Sequence, residues 1–335
     1  MPLPAFSNFP LQGSNARIIW SSLFNGTIAL ATPTSGDSLT YTGNVTGADS
    51  NSHGVNTLDD AWQIAGGQAF YAQYLLDAAG ALSTRFVTTS RPSTFVGGIG
   101  NEIEIKQVAR SATEWSGSLP QCEFVMELSN TYFDTSPVNE YYCSKMIRIP
   151  SNMIDVLDRP AGVEWTVVWS VIEDVKCGPV ATNDARIIIN VLKVQGETGL
   201  RFRAALDNCG TDTLTGVNNG IIAGLNSDGV IDYGQTDEST AVPGKDYKIE
   251  YWIKRSAGRE DLTTGRFVAI ATRMDTGERF TIINKTGGQF WGYHSHHFKR
   301  FFPIIVYTGG FPSSGDYTMV YSNIEYWSFS PYIII

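Results

Sequence analysis

Three of the four histidines fall in one stretch, Tyr293-His294-Ser295-His296-His297. Imidazole titrates near neutrality, so such a cluster can act as a base or bind a metal. On a strand, His294 and His296 share a face and His297 points to the other. Two same-face imidazoles begin a metal site, but no third ligand follows at a suitable spacing, so no metal is expected here. Lys299 and Arg300 come next, with Arg273, Arg279 and Lys285 near them in the chain. Together they could line a basic strip for an anionic sugar, and the competing reading is ordinary surface charge. Trp252, Trp291, Tyr293, Tyr307, Tyr326 and Trp327 offer flat faces on which the CH faces of sugar rings stack. Most aromatics on sandwich strands are core, so only a minority of these are expected to touch a ligand. Trp165 and Trp169, inside an apolar run, are read as core.

Other motifs say less. Asn226-Ser227-Asp228-Gly229-Val230-Ile231-Asp232 has the oxygen-rich look of a calcium loop, but an EF-hand register puts Gly224 first and Gln235 twelfth. Those positions need an acidic residue and Glu, so a turn is the better reading and calcium only a weak candidate, with Asp237 and Glu238 as spare oxygens. Cys122, Cys143, Cys177 and Cys209 contain no CxxC pair, which excludes a zinc ribbon. They read as buried free thiols. No phosphate-binding glycine loop and no GxSxG is present.

Composition narrows the class. The 335 residues carry 24 Lys and Arg against 33 Asp and Glu, a net charge of −9. That balance argues against a general nucleic-acid binder, which needs clustered cations to displace counterions. At 42% hydrophobic residues the chain can build a core, and at 17% charged residues it is too poor in charge for coiled coils. No run approaches the roughly 18 apolar residues of a membrane helix, so no membrane partner is expected.

The elements that must position these residues read as strands. Short β-branched and aromatic stretches recur between turns: Arg17–Leu23, Thr27–Ala31, Arg85–Thr89, Glu102–Val108 and Trp165–Ile172. Glu123–Leu128 and Glu140–Ile149 read as arms of a hairpin around Asp134–Val138, which would bring Cys122 and Cys143 together. Arg186–Val194 and Leu200–Leu206 form a hairpin about Gln195–Gly199, and Phe267–Arg273 pairs with Arg279–Asn284 about Asp275-Thr276-Gly277. Lys248–Lys254 alternates, with Ile249, Tyr251 and Ile253 on one face and Lys248, Glu250, Trp252 and Lys254 on the other. Pro303–Tyr307 and Met319–Phe329 close the series. Asp59–Ala81 suits either a helix or a strand. Asn208–Val242 reads as one long polar loop.

The order of features from Glu140 to Trp327 carries a resemblance. A strand ending in Arg148-Ile149-Pro150 is followed by the Trp-rich Glu164–Asp174, the 186–206 hairpin, VPGKDYKIEYWIK, GRFVAIATRMDTGERF, HFKRFFPIIVYTGG and the closing YTMVYSNIEYWS. This resembles the concanavalin-A-like jelly roll of laminin-G-like modules and polysaccharide lyases. The resemblance implies an all-β fold, a jelly-roll β-sandwich of two antiparallel sheets, with Asn323 opening an alternating closing strand. For the lyases of that architecture it implies an Arg or Gln that neutralises a uronate carboxylate, a His or Tyr that removes the C5 proton, and a Tyr that protonates the leaving oxygen. In those terms Tyr307 is the acid/base candidate, His294, His296 or His297 the base, and Arg148, Lys299 or Arg300 the neutralising cation. Trp291 and Tyr293 join the ligand-binding set. The family's Gln-x-His is absent from Val167–Asp174, where Trp169-Ser170-Val171-Ile172-Glu173 stands instead.

The expectations are these. Residues 1–110 supply an arm and first strands of the same unit, 111–331 the jelly roll, and 332–335 an apolar tail. The protein is read as a non-catalytic, lectin-like structural or adhesion protein, such as a surface, decoration or tail-associated subunit of a phage virion. The alternative is a lyase that cleaves an acidic glycan by β-elimination. The expected partners are a glycan or acidic polysaccharide and further copies in a homo-oligomer or larger viral assembly. The start of the chain lacks a basic segment leading into an apolar one, so no signal peptide is expected. That points to the virion or the cytoplasm, and to the outside of a cell only on a particle.

Overall fold

The computed structural model describes residues 18–24, 29–30, 40–46, 70–75, 86–107, 121–127, 140–157, 167–177, 185–194, 196–207, 230–254, 263–286, 298–308 and 316–327. Among these residues are seventeen strands and one helical turn, Met153–Val156. The strands are β1 (Ile18–Ser22), β2 (Ala29–Leu30), β3 (Thr40–Thr46), β4 (Phe70–Leu75), β5 (Phe86–Pro92), β6 (Asn101–Gln107), β7 (Gln121–Glu127), β8 (Glu140–Arg148) and β9 (Val167–Cys177). Then come β10 (Ala185–Val194), β11 (Arg201–Asp207), β12 (Val230–Gln235), β13 (Asp246–Lys254), β14 (Arg266–Arg273), β15 (Arg279–Thr286), β16 (Phe298–Thr308) and β17 (Tyr317–Trp327).

They form two antiparallel sheets. Sheet one has eight strands in the order β15-β14-β13-β8-β17-β6-β5, with β1 also paired to β17. Sheet two has nine, in the order β12-β11-β10-β9-β16-β7-β4-β3-β2. The chain moves between the sheets repeatedly, so β8 and β17, far apart in sequence, are neighbours in sheet one. This is the two-sheet antiparallel jelly-roll sandwich expected from the sequence.

The core lies between the sheets and is built by alternation. Tyr141, Cys143 and Ile147 of β8, Tyr247, Ile249, Tyr251 and Ile253 of β13, and Tyr317, Met319 and Tyr321 of β17 face inward from sheet one. Ile172, Val175, Ile187, Ile189, Val191, Phe202 and Phe301 meet them from sheet two. Polar inward groups bond across the gap: Ser170 Oγ with Tyr317 Oη, and the Tyr321 hydroxyl to the Ile305 carbonyl.

Two of the three expected hairpins form. β10 pairs with β11 and β14 with β15. The second turn closes with Gly277 in the left-handed region (φ 73°), where a side chain would be strained, while Arg273 grips Asp275.

Three expectations are corrected. β7 and β8 do not form a hairpin: β7 lies between β4 and β16 in sheet two, and β8 between β13 and β17 in sheet one. β8 is buried on both faces from Tyr141 to Ile147. Both of its edges are taken, one by β13 and the other by β17, which leaves no edge for β7. Cys122 and Cys143 therefore lie in different sheets, and Cys143 is a buried free thiol. Secondly, the supposed loop Asn208–Val242 contains β12, which adds to β11 through pairs such as Asp232 with Ala205. Thirdly, Glu238 is no spare oxygen, because its Oε1 accepts from the Thr198 and Gly199 backbone amides at 2.8 Å each. In the ambiguous stretch, Phe70–Leu75 is a strand. No helix among the described residues is long and apolar enough to cross a membrane.

Candidate functional site

The outward face of sheet one carries an unusual set of side chains. On β8 the even residues Glu140, Tyr142, Ser144, Met146 and Arg148 alternate with the core set, and on β13 so do Asp246, Lys248, Glu250, Trp252 and Lys254. β17 joins them through a β-bulge. Ser322 pairs with Met146 but Glu325 pairs with Ser144, so three steps on β17 oppose two on β8. Asn323 takes up the extra residue at φ 46°, in the left-handed region that Asn tolerates better than most side chains. The bulge reverses the parity of the strand: Ile324 and Tyr326 turn into the core, and Glu325 and Trp327 turn out.

Three rows result across β13, β8 and β17. Trp252, Tyr142 and Trp327 form one, Glu250, Ser144 and Glu325 the next, and Lys248, Met146 and Ser322 the third. Neighbouring strands lie about 4.8 Å apart, so the two indoles stand roughly 10 Å from each other at the backbone. Tyr142 Oη donates to Glu250 Oε1 at 2.7 Å, and Lys248 Nζ lies 3.1 Å from the same oxygen. Trp327 Nε1 donates to Glu325 Oε2 at 3.1 Å, and Trp252 Nε1 to Glu140 Oε1 at 2.9 Å. Burial pushes the Glu325 carboxyl up to about 7, with the Trp327 bond and Lys248 opposing it. Burial also holds Lys248 below the usual lysine range, against the pull of Glu250. Tyr142, Trp327, Lys248 and Glu250 are buried, whereas Trp252 is half-buried and Lys254 exposed, so of the aromatic row only Trp252 is open to solvent.

A second polar network closes the other end. Arg148 makes a fork to Asp246, with Nε–Oδ1 at 2.6 Å and Nη2–Oδ2 at 3.0 Å, and lies over the Phe95 ring. It also bonds Thr94 and sits 3.7 Å from Glu102. Glu102 is held below the usual carboxylate range: burial works against it, but bonds from the Thr94 backbone, Arg91 and the Thr94 hydroxyl outweigh burial.

Sheet two holds the remaining candidates. Backbone register sets Tyr307 opposite Val171 and Gln121, Val171 opposite Asn190, and Asn190 opposite Arg203. Tyr307, Asn190 and Arg203 thus share one cross-strand row. Asn190 is buried, and its Oδ1 has no hydrogen-bond partner among the described residues. Arg300 stands opposite Lys176 and Glu127, and Lys176 opposite Arg186, a row with three basic residues. Lys299 lies in the same strand, β16.

The structure therefore distributes the sequence candidates. Tyr307, Lys299 and Arg300 are in sheet two, whereas Arg148 is in sheet one and committed to Asp246. Arg273, Arg279 and Lys285 belong to β14 and β15 of sheet one, so they do not continue the Arg300 row. Trp291, Tyr293, His294, His296 and His297 lie outside the described residues. Neither Tyr326 nor Trp327 is a stacking surface: the bulge buries Tyr326 in the core, where it bonds Glu173, and Trp327 is buried on the other face, where it bonds Glu325. Among the described residues no three His, Cys, Asp or Glu cluster as metal ligands would. The sequence reading missed Ser144, Glu325 and Asn190. Alternation on β13 had already put Glu250 beside Trp252; the signal for Glu325 was Asn323 as a bulge residue.

No known family model matches the chain, and no curated protein matches it in sequence. Solved structures similar to it include the alginate lyase vAL-1 from Chlorella virus, at 14% identity over 71% of this chain and 88% of that one, with a TM-score of 0.42. The marine PL-14 alginate lyase from Aplysia kurodai is 11% identical over 72% of this chain and 86% of its own, also at 0.42. Arcelin-5, a lectin-like defence protein from Phaseolus vulgaris, is 7% identical over 76% and 97%, at 0.32.

Proposed function

We propose that the protein is a non-catalytic, lectin-like glycan-binding protein, with its ligand surface at the Trp252 end of sheet one. The supporting observation is half-buried Trp252 beside the partly exposed Glu140, at the edge of an array whose inner members, Tyr142, Trp327, Glu250 and Ser144, are buried and hold it in place. The Trp252 indole face stacks on the CH surface of a sugar, and the partly exposed carboxylates of Glu140 and Glu325 accept bonds from its hydroxyl groups. Half-buried Trp252, with Glu140 fixing its ring, is the platform a sugar reaches first. Trp252→Ala is expected to weaken glycan binding about tenfold while leaving the unfolding midpoint nearly unchanged, because the side chain stands at the open end of the array. A glycan array followed by calorimetric titration measures both ligand and loss. A protein that binds no glycan at any concentration sinks the reading.

One observation favours a second reading, cleavage of an acidic polysaccharide by β-elimination. It is the row of Tyr307, Asn190 and Arg203, with Asn190 Oδ1 unbonded among the described residues. Arg148, tied to Asp246, is a poor neutralising cation for it. Appearance of the ultraviolet absorbance of unsaturated uronates on incubation with alginate or glucuronan, abolished by Tyr307→Phe, would establish the lyase and displace the lectin. Phe keeps the ring and removes only the hydroxyl that moves the proton.

The adhesion role is proposed to operate on an assembled particle such as a virion. Its support is the apolar segment Tyr332–Ile335, whose isoleucines gain roughly 1.5–3 kcal/mol each on full burial. Deleting Ile333–Ile335 is expected to lower the assembly mass measured by light scattering, with the unfolding midpoint of the domain held. Destabilisation of a monomer at constant mass overturns that part.

A further inference from the structure

Lys145 is the one charged residue among the inward-facing positions of β8, and it is fully buried. Its Nζ crosses the sandwich to Glu173 Oε2 on β9 and donates to the carbonyls of Ile172 at 3.1 Å and Pro303 at 3.0 Å. Glu173 is 1% exposed, and its other oxygen, Oε1, accepts from Tyr326 Oη at 2.9 Å. Tyr141, Phe301 and Tyr326 pack edge-to-face nearby, and Tyr251 closes on Tyr141. The strands concerned are central ones: β8 has β13 and β17 on its two sides, and β9 has β10 and β16.

A lone ion pair in such surroundings is costly, because both charges lose their water. Burial pushes the Glu173 carboxyl up, toward the neutral acid. A proton passed from Nζ to Oε2 leaves an amine and a carboxylic acid in contact, with no solvent between them. Those are the two reactants of amide formation, held at the high effective concentration that fixed geometry supplies.

We propose that Lys145 and Glu173 condense into an isopeptide bond that joins the two sheets. The Nζ lone pair attacks Glu173 Cδ, and the negative charge gathers on Oε1, where Tyr326 Oη already donates. A second Nζ proton passes to the Oε2 hydroxyl, and the Cδ–Oε2 bond breaks with release of one water. The Nζ–Cδ bond replaces it, Oε1 remains as the amide carbonyl, and neither oxidant nor reductant is needed. The remaining N–H can keep one of the two carbonyl bonds Lys145 now makes. A neutral amide also removes the desolvation cost of the charges, which favours the product.

The test is the intact mass of the full wild-type chain, measured after denaturation, with peptide mapping. The expected result is a mass lower than the sequence by one water in the bulk of the chains, with the proteolytic fragments holding Lys145 and Glu173 recovered as one branched species. Lys145→Met and Glu173→Leu should each restore the full mass. A wild-type chain at full sequence mass overturns the proposal, as does a lost water that maps to any other pair of residues. Since the wild-type measurement decides the matter alone, a variant that fails to fold does not shelter the idea.

Discussion

Phe301→Ala is expected to destabilise the protein by about 3–5 kcal/mol, the range for removing a large side chain from a packed core. Phe301 is fully buried on β16 and meets two aromatics of sheet one edge-to-face, Tyr141 at 5.0 Å and Tyr326 at 5.2 Å between ring centroids. Those contacts fasten β16, which also carries Lys299, Arg300 and Tyr307, to the facing sheet. The register between β16 and β7 is already broken between Phe301 and Ile304, so the ladder there cannot take over from the lost packing. Strands β8 and β17 on the opposite side are fixed by pairs along their length, so the cavity cannot close by their movement. Urea denaturation followed by tryptophan fluorescence measures the loss. Phe301→Leu, which fills part of the space, should lose clearly less. A loss below about 1 kcal/mol for the alanine variant would mean that the two sheets do not depend on this contact.

The second large effect is a pH dependence centred on Glu325. Its carboxyl is pushed up by burial to about 7 in the folded protein, against 4.5 for the ordinary group. The folded state therefore holds this proton more tightly than the unfolded chain does. Stability from Glu325 is fully present below about 4.5 and is lost as the pH rises through about 7, a total of about 3 kcal/mol. The slope is the reverse of the usual one for a salt-bridged carboxylate. Glu140 is also raised by burial, so the quantity to read is the difference between wild type and Glu325→Gln. Gln keeps a bond acceptor for Trp327 Nε1 and cannot ionise. The variant should be close to wild type at about pH 5 and more stable than it at about pH 8, with denaturation midpoints as the readout. Equal pH dependence in the two proteins would show that Glu325 is wetter than its surroundings indicate.

Local pattern alone settled much of the architecture. The two-residue alternation of Lys248–Lys254 assigned Ile249, Tyr251 and Ile253 to the core and Glu250 and Trp252 to the other face, and the structure does the same. Turn chemistry at Gln195–Gly199 and at Asp275–Gly277 specified two hairpins, because a tight turn forces its flanking strands into register. The scarcity of any 3.6-residue period left strands as the only elements able to bury so many β-branched and aromatic residues, and two sheets follow once those strands must cover each other. Partner choice between distant strands is different. Nothing in Glu123–Leu128 or Glu140–Ile149 says that they part to opposite sheets, because each could satisfy its backbone with any strand of matching length. Only the full set of competing pairings decided it, with β8 buried on both faces between β13 and β17. The site was divided in the same way. Trp252 and Glu250 could be read from alternation, but Glu325 and Trp327 reach their side of the sheet only because one residue, Asn323, is left over between Ser322 and Glu325. A period-two pattern has no memory across such an insertion. One extra residue exchanges every inward position for an outward one, and its place is fixed by the strands on either side of β17 rather than by β17 itself.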